Sequence, residues 1–119
     1  MLLIVATAGS SDPSRASLPF HIAANGAAAS GRRCGIVLAG DATEVLRTDI
    51  ASAVKGLGVP PLEQLLAACL EHEIPLYVCR GCAEARGVTA AHLEGRNAVF
   101  INPVELVELV QESDRTVSF

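Results

Sequence analysis

The chain has 119 residues, half of them hydrophobic, with three Phe, one Tyr and no Trp. That length suits a single domain over residues 1–119 with a core of Leu, Val, Ile and Ala. A net charge of −4 gives little support to nucleic-acid binding, and no apolar run reaches the ~18 residues that span a bilayer.

In chain order, Leu2 to Ala8 predicts a first strand. It is too short for a secretory h-region and no basic residue precedes it, so a cytoplasmic location is expected. Gly9-Ser10-Ser11-Asp12-Pro13-Ser14 reads as a polar loop with helix-start character, followed by an Ala-rich helix from about Arg15 to Ser30 that Gly31 ends. Cys34 to Ala39 predicts strand two, Gly40 to Thr43 a turn, and Glu44 to about Ala53 a weak helix. Gly56 to Pro60 breaks the pattern. The next helix runs from Pro61 to about Glu73, with Leu62, Leu65, Leu66, Cys69 and Leu70 on one face.

Pro75 to Cys79 predicts strand three, Arg80 to Arg86 a short helix, Ala98 to Asn102 strand four, and Pro103 to Glu112 a final helix. Thr116 to Phe119 is short enough for a fifth strand. Strands that alternate with helices and are apolar throughout predict a mostly parallel sheet with helices on both faces, a three-layer α/β sandwich. In such folds ligands and chemistry gather at the C-terminal ends of the strands. Thr7 to Ser14, Gly40 to Thr43 and Cys79 to Cys82 meet that condition.

Charge is uneven. Nine of the 13 acidic groups fall in residues 61–119. Glu105, Glu108, Glu112 and Asp114 predict the wet face of the last helix.

The segment Tyr77-Val78-Cys79-Arg80-Gly81-Cys82 carries the chemistry. It places a thiol where a strand gives way to a helix start, and the backbone dipole there favours the thiolate. Arg80 adds positive charge, so Cys79 is expected as the nucleophile. Cys82, about one turn on, is near enough to resolve an oxidised or persulfidated Cys79. Zinc would need Cys34, Cys69 or His72 to converge on the pair, because one pair supplies two of four ligands. A thioredoxin-type reading fits the strand-to-helix position, but Val78 stands where an aromatic is usual. Dithiol redox chemistry is therefore the alternative.

Cys34 and Cys69 fall in apolar surroundings and are expected as buried, inert thiols. The first loop could hold an anion through its N–H groups, yet it matches neither phosphate-binding fingerprint. Helix capping by Asp12 or Ser14 is the simpler reading. His21, His72 and His92 are not placed beside Cys79 by sequence, and no Gly-x-Ser-x-Gly elbow is present.

Three stretches carry a family resemblance: Ile36 to Ala42, Lys55-Gly56-Leu57-Gly58-Val59-Pro60-Pro61-Leu62, and Cys79 to Val88. With these the whole chain resembles the DsrE/DsrF-like family of sulfur-relay proteins, including its TusD type. The resemblance implies a five-stranded parallel sheet and a trimer or hexamer of identical chains. It further implies that Cys79 accepts sulfane sulfur as a persulfide from a donor protein and passes it to an acceptor, with no metal or organic cofactor. Cys82 is similar to a second cysteine found in a subset of the family. A third possibility is a non-catalytic oligomeric module that binds a small anion at the strand ends.

Overall fold

The computed structural model describes residues 1–119. Five strands form its centre: β1 (Leu2–Ala6), β2 (Cys34–Leu38), β3 (Leu76–Cys79), β4 (Ala98–Ile101) and β5 (Arg115–Ser118). Their spatial order is β4-β3-β2-β1-β5, and every pairing is parallel. The expected "mostly parallel" sheet is thus fully parallel. Parallel neighbours need crossovers, and the intervening helices supply them.

The helices are α1 (Pro13–Ile22), α2 (Thr48–Ala51), α3 (Leu62–Glu71), α4 (Arg80–Ala85), α5 (Ala90–Leu93) and α6 (Pro103–Glu112). The first helical stretch differs from the continuous helix expected. Asp12 accepts the Arg15 N–H at 3.2 Å, and Pro13 opens α1 where its missing N–H costs nothing. Beyond Ile22 the backbone passes through a π-helical turn, Ala23–Ala27, and a 3-10 turn, Ala28–Ser30. The segment expected as a turn and weak helix after β2 is a 3-10 helix, Gly40–Leu46, followed by α2. α5 was not anticipated. It begins at Thr89, whose N–H donates to His92 Nδ1 at 2.9 Å in a capping box.

Alternation along the strands divides the core into two layers. Ile4, Ala6, Ile36, Leu38, Leu76 and Val78 face the larger layer. There they join Phe20 of α1, Leu62 and Leu65 of α3 and Ala83 of α4 in one buried cluster. Leu3, Val37 and Ile101 face the other way, where Leu106 and Leu109 of α6 pack on them. All five residues of β2 are buried, as its place in mid-sheet requires. β5 is exposed throughout, as an edge strand. Asn102 caps α6 by accepting the Glu105 N–H at 2.8 Å, and Glu105 returns the bond at 3.1 Å.

Candidate functional site

Three strand ends build the site. β3 delivers Cys79 as the residue that caps α4, which sets Cys82 in that helix's first turn. Both thiols are free and partly exposed. The end of β2 runs through Ala39 into Gly40, where the chain turns sharply with φ +55°, a conformation that glycine adopts at least cost. That turn brings the Gly40 backbone to the Cys82 thiol. The end of β1 leads to Gly9 and Ser10. Ser10 donates to Glu44 Oε1 through its N–H at 2.7 Å and its hydroxyl at 2.6 Å. A Cβ at Gly9 would stand 2.5 Å from the Asp41 carbonyl oxygen, so only glycine lets the two strand ends meet this closely.

Arg86, just past α4, ties these pieces together. Its Nε and Nη2 donate to Asp41 Oδ1 at 3.0 and 2.8 Å, and its Nη1 donates to the Cys82 carbonyl at 3.0 Å. Arg47 Nη1 in turn donates to the Arg86 carbonyl at 3.3 Å. Arg80 turns elsewhere. Its guanidinium lies 4.5 Å over the Phe100 ring and 3.8 Å from Glu84 Oε1. Its charge is spent on a cation–π contact and an exposed ion pair, and it is not among the groups that shift either thiol.

The electrostatics of the pair differ from the sequence-based expectation. Partial burial, and then the Cys82 side chain, push the Cys79 thiol above the ordinary value. The Cys82 thiol is held below it, first by a hydrogen bond from Cys79, then by the Gly40 backbone, with Arg86 adding its positive charge. Two thiols this close titrate as a pair, and the environment favours the negative charge on Cys82. The reason is positional: Cys82 faces the β2 end and Arg86, whereas Cys79 has only the local α4 backbone to stabilise it.

The other two cysteines are buried, as expected. Cys34 donates weakly to the Ala23 carbonyl at 3.8 Å and Cys69 to the Phe20 carbonyl at 3.7 Å. Burial raises both, Cys69 to about 12 with Cys34 adding to the shift. No three His, Cys, Asp or Glu side chains gather as a metal site would require. His21 bonds Asn25 and His92 caps α5, so neither meets the thiols. The first loop uses most of its polar side chains internally. Asp12 caps α1, and Ser14 Oγ accepts the Leu57 N–H at 3.0 Å.

A crevice of about 410 Å³ is lined by Thr48, Leu66, Cys69, Leu76, Glu94 and Arg96 and does not include the thiol pair. A smaller one of about 260 Å³ lies beside α4, against Arg80, Glu84 and Phe100. No helix is long and apolar enough to cross a membrane.

The profile of the DsrE/DsrF-like family matches residues 1–119. The chain belongs to the DsrE/DsrF-like family. Its fold is similar to the crystal structure of the YchN protein from E. coli, with a TM-score of 0.78 at 18% identity over 99% of this chain and 97% of that one. It is also similar to BT1422 from Bacteroides thetaiotaomicron, described as a conserved protein of unknown function. There the TM-score is 0.71 at 18% identity, over 99% of this chain and 93% of that one. No curated protein sequence matches.

Sequence reasoning reached both thiols of this DsrE/DsrF-like chain but not Arg86, Asp41 or Gly40 as their surroundings. A Gly-Asp pair directly after a predicted strand, with an arginine one helical turn beyond the second cysteine, was the available signal.

Proposed function

We propose that this chain is a sulfur carrier that accepts sulfane sulfur as a persulfide on Cys79 and passes it to an acceptor thiol. The observation that carries the reading is a partly exposed thiol pair at the C-terminal edge of a parallel sheet, in a member of the DsrE/DsrF-like family. The Cys79 thiolate attacks the outer sulfur of a donor persulfide, R–S–SH. The donor S–S bond breaks, R–S⁻ leaves, and Cys79 holds –S–SH. An acceptor thiolate then attacks that outer sulfur and restores Cys79. Neither step needs a metal or organic cofactor. Donor and acceptor are proteins carrying reactive cysteines, met in the cytoplasm, and the working unit is a homo-oligomer.

A second reading, dithiol redox chemistry, is favoured by the place of Cys82 in the first turn of the helix that Cys79 opens, with both thiols free and partly exposed. A third, small-anion binding at the strand ends, is weakened because the first loop spends its hydroxyls and capping groups on Glu44, Arg15 and Leu57. Intact mass after exposure to a sulfane-sulfur donor separates them. Relay requires one added sulfur that a Cys79→Ser variant does not take up. A loss of two hydrogens with no added sulfur would replace relay by dithiol redox.

A further inference from the structure

We propose that the half of the sheet left uncovered by α6 is the interface between copies of this chain, and that Arg32 and Arg33 of one copy seat on Glu108 and Glu112 of the next. The proposal deepens the homo-oligomer reading by naming its surface, and it rests on the sulfur-relay reading only for the part played by Cys79.

The two faces of the sheet are covered unequally. One carries a core cluster of 25 buried residues, the other a cluster of three. On the thin side the packing helix is α6, through Leu106 and Leu109, and no residue of α6 is itself buried. β3 and β4 therefore keep an open strip beside it. Tyr77, Val99 and Ile101 floor a trough of about 190 Å³, and Glu105, Glu108 and Glu112 of α6 form its wall. Val99 is 55% exposed, and Val104 and Val107 on α6 are 66% and 59% exposed. Apolar area of this kind, rimmed by polar groups, marks a contact surface.

Charge selects what covers it. Glu108 and Glu112 have no basic side chain within ion-pair distance. Glu105 spends one carboxylate oxygen on the α6 cap. Tyr77 also borders a second crevice, of about 380 Å³, where Arg32, Arg33 and His72 gather at the N-terminal ends of the strands. Arg32 and Arg33 are exposed and equally unpaired. Glu73 lines the same crevice without pairing to either, and Asp114 is taken by the Met1 ammonium. Unpaired charges of both signs thus flank one apolar strip, and a second copy of the chain supplies the complement to each.

The contact is head-to-tail. A two-fold docking of the trough on itself would set the α6 carboxylates against their own copies, and like charges brought together oppose association. Placing the Arg32–Arg33 end of one copy on the trough of the next avoids this. Repeated, a head-to-tail contact whose rotation closes gives a ring. Ile101, in the trough floor, pairs in register with Cys79, and alternation along β3 puts Cys79 on the same face as Tyr77. The neighbouring copy therefore walls one side of the approach to the Cys79 thiol.

The test is the mass of the full chain in solution, by sedimentation at micromolar concentration, with circular dichroism to check folding. The wild type is expected at a multiple of 12.3 kDa, and to dissociate as sodium chloride rises, because salt screens exposed charges. Arg32→Glu with Arg33→Glu should fall to the monomer mass, and so should Glu108→Lys with Glu112→Lys. The variant carrying all four reversals should reassemble, since every contact regains opposite charges. Iodoacetamide labelling of Cys79 should be several-fold faster in the two dissociated variants and return to the wild-type rate in the reassembled one. A monomeric wild type overturns the proposal and leaves the face to a different protein. An unchanged mass in either pair of reversals overturns it by placing the interface elsewhere, as does failure of the four reversals to reassemble. Unchanged Cys79 labelling on dissociation overturns the placement of the neighbour beside that thiol. All four positions are exposed. Should a pair of reversals misfold, Arg32→Gln with Arg33→Gln, or Glu108→Gln with Glu112→Gln, takes its place and is expected to weaken association. Failure of the relay reading shows separately, as an assembled wild type that takes up no sulfur.

Discussion

Arg86 and Asp41 lie 45 residues apart and meet through two nitrogens on one carboxylate oxygen, at 3.0 and 2.8 Å. The pair joins the helix that carries Cys82 to the loop that leaves β2. It therefore holds together the two strand ends between which the thiols sit. An isolated surface ion pair contributes little to stability. Here the same guanidinium also bonds the Cys82 carbonyl, so its loss loosens the site more than the fold.

The four thiols should separate by reactivity. Cys79 and Cys82 are expected to be alkylated in the native protein well before Cys34 and Cys69, because only the first two are solvent-accessible and burial keeps Cys69 protonated to about pH 12. Peptide mass spectrometry over a time course measures this. Equal rates at all four positions would contradict the assignment.

Persulfide loading should depend on one cysteine for its endpoint. After prolonged exposure to a sulfane donor, Cys82→Ser is expected to reach the same added mass as the wild type, only more slowly, and Cys79→Ser to show none. If both variants fail equally, the thiols act as a redox unit and the carrier reading falls.

Alkaline pH should weaken the fold through Cys69. Its folded value of about 12 lies above the ~8.5 of an ordinary thiol, so between those two the unfolded chain has lost a proton that the native chain keeps. Stability then falls as pH rises across that window, with a limiting slope of about 1.4 kcal/mol per pH unit. Cys69→Ala should flatten this slope while lowering stability at neutral pH through the cavity it leaves. Urea denaturation at several pH values reads both effects, and an unchanged slope in the variant would show that another group is responsible.

Gly9→Ala should be costly despite its small size. The new methyl would stand 2.5 Å from both the Asp41 carbonyl oxygen and Glu44 Oε1, so the loop after β1 must move away from the segment after β2. A loss of about 1–3 kcal/mol is expected, read as a lower denaturant midpoint with an unchanged slope.

Self-association should be visible in solution. Val104, Val107 and Val110 on α6, with Val99 and Leu70 elsewhere, are exposed apolar side chains. Exposed apolar area of this kind marks interfaces where it is contiguous. Light scattering at micromolar concentration is expected to give a homo-oligomer, with a trimer or a multiple of it expected on family resemblance alone, and a stable monomer would refute the expectation.

Much of the architecture was legible because it rests on local patterns. Asn102-Pro103 and Glu105 spell a helix start, and α6 begins and ends at the residues expected. Cys79 and Cys82 appear where a buried strand meets a short helix. Other features escaped local reading. α5 is four residues held by a Thr89–His92 capping box and lacks a long apolar stripe. The stretch after Gly40 coils as a 3-10 helix because Thr43 donates to the Gly40 carbonyl and because the segment must dock on α4.

By itself the sequence determined that strands and helices alternate, that the central strand β2 is apolar and buried on both sides, and that a thiol pair opens a short helix. These depend on hydrophobic periodicity and on residues a few positions apart. Only the tertiary structure decided that β5 returns to lie beside β1, that Arg80 turns to Phe100, and that Gly40 and Arg86 surround Cys82. Hydrophobic patterning says that a strand is buried but not which strand lies next to it. The charge state of a thiol depends on groups within a few ångströms, and those that matter here come from distant parts of the chain, brought together by strand order.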